Sequence, residues 1–177
     1  MEITVVSDNV LKLRFKQTSI LVTLTSADLS NMKKAVEGDA VVILSEATSS
    51  TFPKVSTSRL VIYGAGEYEI GGIKISGVPI KNKLAFFIGG DKIDLFVSPS
   101  PNEAFDKKKE AAVALFYTTT PVSESLVTDL APSYLVLYGE KASETAKEFG
   151  KEGASNLSKL TVAKEKLPEE MEVVVLQ

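Results

Sequence analysis

The sequence predicts a layered α/β protein with two β-sheets and helices packed outside them. Three observations predict it. The first 25 residues alternate apolar and polar side chains over short segments, the pattern of half-buried antiparallel strands. Ala40-Val41-Val42-Ile43-Leu44 is a continuous apolar run, suited to a strand covered on both faces. The second half then alternates apolar strands with helical stretches.

The elements follow in order. Ile3 and Val5, then Leu11, Leu13 and Phe15, then Ile20, Val22 and Leu24 mark three strands. Ser7-Asp8-Asn9 and Lys16-Gln17-Thr18 are the reversals between them. Ser26 or Asp28 caps a helix carrying Leu29, Met32, Lys33 and Val36, which Gly38 ends. After the run at 40–44, residues 45–58 read as a polar loop dominated by Ser and Thr. Strand signals resume at Leu60–Tyr63, Tyr68–Ile70, Ile73–Ile75, Leu84–Ile88 and Ile93–Val97, with Gly71-Gly72 and Gly89-Gly90 read as tight hairpins. Val113–Tyr117 and Tyr134–Tyr138 are strands around a Pro-initiated helix, Pro121–Leu130. A helix over Ser143–Phe149 places Ala146 and Phe149 on one face and stops at Gly150. Leu160-Thr161-Val162 and Glu172–Leu176 close the chain as strands.

Composition narrows the chemistry. A length of 177 residues with 44% hydrophobic and 24% charged content suits one globular domain, 1–177, with a sizeable core. The net charge of −3 supplies no basic field for nucleic acid or anionic lipid. The apolar runs are strand-sized, and the N-terminus has no charged start leading into a long apolar stretch. The expectation is a cytoplasmic protein with no membrane span and no signal peptide. The sequence contains no Cys, no His and no Trp. It therefore has no disulfide, no thiolate and no imidazole, which removes the commonest metal ligand and the usual general base. Carboxylates, Lys, Tyr and Ser/Thr remain.

Several stretches carry a resemblance. Gly64-Ala65-Gly66-Glu67-Tyr68-Glu69-Ile70-Gly71-Gly72 leads into Ile73-Lys74-Ile75-Ser76-Gly77-Val78-Pro79. The tail runs Lys159-Leu160-Thr161-Val162 through Leu167-Pro168-Glu169-Glu170 to Val173-Val174-Val175-Leu176. Through nearly its whole length the chain resembles the metallo-β-lactamase superfamily, in particular its small hydrolase-like members of unassigned function. The resemblance implies a compact αββα sandwich whose metal site lies along one edge, between the two sheets.

Position by position, the resemblance also implies that this site has lost its ligands. Family members follow an apolar strand with His-x-His-x-Asp-His. Here Val41–Leu44 and Ser45 are followed by Glu46-Ala47-Thr48-Ser49-Ser50-Thr51. Glu46, Thr48 and Thr51 stand in the His places and Ser50 in the Asp place. Ser100, after Leu95-Phe96-Val97-Ser98-Pro99, is the counterpart of a metal-bridging Asp. Gly139, after Leu137-Tyr138, is the counterpart of a final His. A catalytic zinc needs three strong N, S or carboxylate donors beside an open position. One carboxylate and several protonated hydroxyls do not lower the pKa of a bound water to around 7.

Other constellations have plainer readings. Gly64-x-Gly66 lacks the Lys-Ser/Thr ending of a phosphate loop and lies between strands, so its glycines are turn residues. Asp91, Asp94, Glu67 and Glu69 offer oxygen ligands for Mg²⁺ or Ca²⁺, but they read better as solvated strand and turn carboxylates. Lys107-Lys108-Lys109 sits among Glu103, Asp106 and Glu110 as a mixed-charge face. Lys54 offers a Ser–Lys dyad to the Ser/Thr-rich loop that nothing in the spacing supports.

The expected function is a metal-free, non-catalytic binding or interaction module with no cofactor. Its expected partner is another protein, a second copy of the chain or a small ligand, with Phe86, Phe87 and Phe96 as interface candidates, although strand alternation would bury many of them. The alternative is a hydrolase using a carboxylate-bound metal near Glu46 or a hydroxyl nucleophile, a reading that rests on fold analogy. Nucleic-acid binding is a weaker third.

Overall fold

The computed structural model describes residues 1–32, 36–45, 60–81, 83–99, 102, 109–150 and 154–177. The opening alternation forms β1 (Glu2–Ser7), β2 (Val10–Arg14) and β3 (Ser19–Thr23), an antiparallel meander that buries Ile3, Leu11, Leu13, Ile20 and Val22 on one face. β4 (Ala40–Ile43) and β5 (Leu60–Ile62) then add in parallel. With β13 (Lys159–Thr161), the described strands make a six-stranded sheet of order β13-β1-β2-β3-β4-β5.

The second sheet has eight described strands. β6 (Gly66–Ile70), β7 (Ile73–Ile80), β8 (Lys83–Gly90) and β9 (Ile93–Ser98) form an antiparallel meander. β10 (Val113–Tyr117), β11 (Tyr134–Tyr138), β14 (Glu172–Leu176) and β12 (Ser155–Leu157) continue from β9 in parallel. The order is β12-β14-β11-β10-β9-β8-β7-β6. The near-continuous apolar sequences of β10, β11 and β14 suit parallel strands covered on both faces. β7 runs further than the Ile73–Ile75 signal. Pro79 is tolerated because β6 pairs only as far as Gly77, so the missing N–H costs no ladder bond on that side.

The inner faces of the two sheets pack against each other through Ile3, Leu13, Val42, Phe86, Leu115 and Val136, all at most 1% exposed. A second cluster lies outside the large sheet, where Leu126, Val127 and Leu130 of α2 (Glu124–Leu130) and Ala142 and Ala146 of α3 (Ala142–Glu148) cover Phe96, Phe116 and Leu135. A third sits under α1 (Ser26–Ser30), where Leu29 meets Leu21, Val41 and Ile43. Helices thus lie outside both sheets, in four layers.

Several local expectations are corrected. The N-cap of α1 is Thr25, not Ser26 or Asp28, and Asp28 acts as the third residue of a capping box. α1 ends at Ser30, short of Met32 and Val36, which still pack on its cluster; Lys33 lies outside the described residues. α2 begins at Glu124, with Ser123 as its N-cap, rather than at Pro121. Gly71-Gly72 does make the β6–β7 turn, with φ of 56° and 78°. Gly89-Gly90, however, ends β8, and the turn falls on Asp91 and Lys92, with φ of 52° and 63°. Gly90 is needed for space: a Cβ there would run into the Ile73 Cδ1 atom and lie 2.9 Å from Phe15. Phe86, Phe87 and Phe96 are 0%, 3% and 0% exposed, so all three belong to the core and none is an interface residue. Among the described residues no helix is long and apolar enough to cross a membrane.

Candidate functional site

Parallel strands carry their C-terminal ends to one edge, and here those ends belong to β3 and β4 in one sheet and β9, β10 and β11 in the other. The sheets join along this edge. The Leu84 amide donates to the Leu44 carbonyl at 2.7 Å, and Ser45 bridges to Lys83 at the start of β8. The turn between β1 and β2 reaches the same edge, where the Leu24 amide donates to the Asn9 carbonyl at 3.2 Å. The resemblance placed its metal site here.

Of the positions assigned to that site, Glu46, Thr48, Ser50, Thr51 and Ser100 lie outside the described residues, as does Lys54. Gly139 is described. It follows directly on β11 and adopts φ +101°, where only glycine is comfortable. A Cβ on it would sit 3.0 Å and 3.2 Å from two ring carbons of Tyr117 and 3.4 Å from the Thr118 carbonyl oxygen. The space into which a side chain at 139 would grow is therefore filled by the Tyr117 ring.

Tyr117 and Tyr138 are the last residues of β10 and β11, and they pair directly across the parallel ladder. Both point into the core between the sheets, at 7% and 2% exposure. Their rings meet edge to face at 5.1 Å and 66°. The Tyr138 carbonyl accepts from both the amide and the hydroxyl of Thr118, at 2.8 Å and 2.9 Å, which ties the two strand ends together.

A donor chain runs from this pair across to the other sheet. The Tyr117 hydroxyl donates to Asn9 Oδ1 at 2.7 Å, and Asn9 Nδ2 donates to Asp28 Oδ1 at 2.9 Å. Asp28 Oδ2 accepts from the Thr25 amide at 2.8 Å and the Thr25 hydroxyl at 2.7 Å. The capping-box carboxylate of α1 is thus also the acceptor end of a network beginning on β10. Charge at that end strengthens the bonds leading to it.

The electrostatics keep both phenols protonated. Burial pushes Tyr138 far above the ordinary phenol value, with the negative fields of Tyr117 and Asp28 adding to it. Burial also raises Tyr117, helped by Glu140, Asp28 and Asp8. At neutral pH the pair supplies hydrogen-bond donors and no base. Among the described residues no group of three or more His, Cys, Asp or Glu side chains is placed to hold a metal ion. Asp91, one of the acidic candidates, instead accepts the Lys16 amide at 3.0 Å. Among the described residues at this edge the donor set does not fit a catalytic zinc: phenols are weak neutral ligands, and Asp28 is already engaged by Asn9 and Thr25.

Sequence reasoning did not single out Asn9, Asp28 as a site residue, or the tyrosine pair. One signal was present: Val-Ala-Leu-Phe-Tyr and Tyr-Leu-Val-Leu-Tyr are two apolar strands that both end on tyrosine.

Neither a protein-family model nor a curated protein matches the sequence. Solved structures do. A Thermotoga maritima protein ascribed to the Zn-dependent hydrolases of the metallo-β-lactamase superfamily superposes with a TM-score of 0.73 at 17% identity, over 99% of this chain and 98% of its own. YhfI, a metallo-β-lactamase-fold protein from Bacillus subtilis, gives 0.58 at 11% identity, over 98% and 95% of the two chains. A diphosphatase of the PhnP family gives 0.52 at 10% identity, over 93% and 80%. With two facing sheets, helices outside both and these likenesses, the chain has the metallo-β-lactamase fold.

Proposed function

We propose that this protein is a non-catalytic, metal-free member of its fold that works by binding another macromolecule. The observation that carries the first half is Tyr117. Its ring takes the space of any side chain at position 139, and its hydroxyl is committed to Asn9. Among the described residues, this edge carries an aromatic pair and a donor chain from Tyr117 through Asn9 to Asp28, which supports the metal-free reading. Tyr117 and Tyr138 stay neutral at physiological pH, and the chain has no imidazole or thiolate to substitute for them. Neither tyrosine can activate water.

Binding is the role left to such a scaffold, and the proposed partner is another protein or a second copy of the chain. Among the described residues Tyr63 is the one large apolar side chain in the open, at 49% exposure. A scatter of this kind is not an apolar docking patch, so a polar contact surface is favoured.

Metal analysis of the purified protein, with thermal melts in Zn²⁺, Mn²⁺ and Mg²⁺, tests the reading. It expects substoichiometric metal and unmoved melting temperatures. A stoichiometric divalent ion, or a rise of several degrees with one of them, would overturn it. Light scattering with chromatography checks the partner half: a monomer that captures no protein from its own lysate counts against it.

A further inference from the structure

The Tyr138 side chain is completely buried, yet among the described residues its hydroxyl has no hydrogen-bond partner. Buried hydroxyls are rarely left so, because an unmade bond there forfeits solvation without replacement. The Tyr117 hydroxyl next to it is half-committed. It donates its proton to Asn9 Oδ1 at 2.7 Å and keeps lone pairs free to accept. The rings stand 5.1 Å apart at 66°. One phenol therefore needs an acceptor, and its neighbour can accept but does not lie within reach.

We propose that a single internal water sits between the two phenols, accepting the Tyr138 proton and donating to Tyr117 Oη. Both phenols are shut off from bulk solvent, so whatever satisfies the Tyr138 hydroxyl is enclosed by the protein. The charge is set by the surroundings. Asp8, Asp28 and Glu140 are the carboxylates whose fields reach Tyr117, and Asp28 is the carboxylate whose field reaches Tyr138, so the local field repels anions. Both oxygens of Asp28 are taken by Asn9 and Thr25, and among the described residues no group of three or more Asp or Glu side chains is placed to hold a metal ion. The water would complete a donor chain Tyr138–water–Tyr117–Asn9–Asp28 linking β11 to the capped end of α1. The edge that holds a metal-activated water in a working hydrolase of this fold would here hold a structural one, a deepening that rests on the proposed metal-free reading.

A high-resolution crystal structure of the wild type and of Tyr138→Phe, with thermal melts of both, tests this. The expected result is one density peak about 2.7–3.0 Å from both phenol oxygens. In Tyr138→Phe that peak is lost, and the melting temperature falls by about 2–4 °C. No peak, together with a Tyr138→Phe melting temperature equal to or above wild type, would overturn the water and leave the metal-free reading standing. A peak at about 2.0–2.2 Å that anomalous scattering identifies as metal would overturn both. Should Tyr138→Phe not fold, the wild-type density decides alone.

Discussion

Placing a histidine at position 139, the counterpart that the resemblance suggests for a family ligand, should destabilise this protein. Gly139→His meets two costs that the structure separates. The backbone sits at φ +101°, and holding a non-glycine residue in such a sparsely populated region costs about 1–3 kcal/mol. The Cβ itself then lands 3.0 Å and 3.2 Å from Tyr117 ring carbons, before any imidazole atom is placed. Tyr117 cannot slide aside freely, because its hydroxyl is bonded to Asn9 and its ring rests on Tyr138. Displacing it forfeits a hydrogen bond of about 0.5–1.5 kcal/mol, and overpacking adds about 1–3 kcal/mol. The sum is about 2.5–7.5 kcal/mol, a fall in melting temperature of roughly 5–30 °C for a chain of this size. Gly139→Ala keeps the strain and the Cβ contact but drops the imidazole, so it should fall between the two. Urea unfolding of Gly139→Ala, Gly139→His and Gly139→His in a Tyr117→Ala background provides the assay. The double variant should show favourable coupling, because the space is emptied before the histidine enters it. Wild-type stability for Gly139→His, or tight zinc binding by it, would refute the reasoning.

Asn9→Ala leaves the Tyr117 hydroxyl and Asp28 Oδ1 without their shared partner, and should cost about 1–3 kcal/mol in urea unfolding, while Asp8→Ala in the same turn costs little. Gly90→Val should destabilise by about 1–3 kcal/mol through overpacking against Ile73 and Phe15, measured the same way. The hydrogen bond from Lys159, chiefly, with the charges of Lys159 and Arg14 and a hydrogen bond from Thr4, holds the Glu2 carboxyl below the 4.5 of a free glutamate, against an opposing effect of desolvation. Because the folded value is depressed, its contribution is present above pH 4.5 and is lost as pH falls through the folded value, so any deficit of Glu2→Gln in melts at neutral pH should vanish on acidification. The raised phenols act in the opposite direction: their contribution is intact below about pH 10 and is lost as pH rises beyond it. Alkaline unfolding followed by phenolate absorbance should therefore be less steep in Tyr117→Phe.

The sheets were legible because burial writes itself into local sequence. A strand covered on both faces has few choices besides Val, Ile, Leu, Phe and Ala, and β4, β10 and β11 use almost nothing else. Turn glycines were less transparent. Gly71-Gly72 and Gly89-Gly90 look alike on the page, yet the first pair supplies positive φ while Gly90 supplies room for Phe15 and Ile73. A glycine's reason is set by whatever crosses above it, and Phe15 comes from the other sheet, 75 positions away. The extent of α1 was misjudged for a related cause: Met32 and Val36 keep the apolar spacing because they pack on the cluster beneath it, and packing alone does not require a helix.

The candidate site divides along the same line. The absence of imidazole is a property of composition, visible without any alignment. The described part of the edge depends instead on residues 9, 28, 117 and 138 meeting across two sheets, at sequence separations of 19 between Asn9 and Asp28 and 108 between Asn9 and Tyr117. Each residue has an innocent local explanation. Asn9 belongs to a turn, Asp28 to a helix cap, and the tyrosines to the ends of apolar strands. Only the topology turns them into one chain of donors. Gly139 then takes on a different meaning. The φ of +101° and the Tyr117 ring together favour glycine there, whatever the position's relation to a metal site. The Gly139→His measurement therefore separates two readings of the proposed metal-free edge: one left open by missing ligands tolerates the histidine, and one packed around the aromatic pair does not.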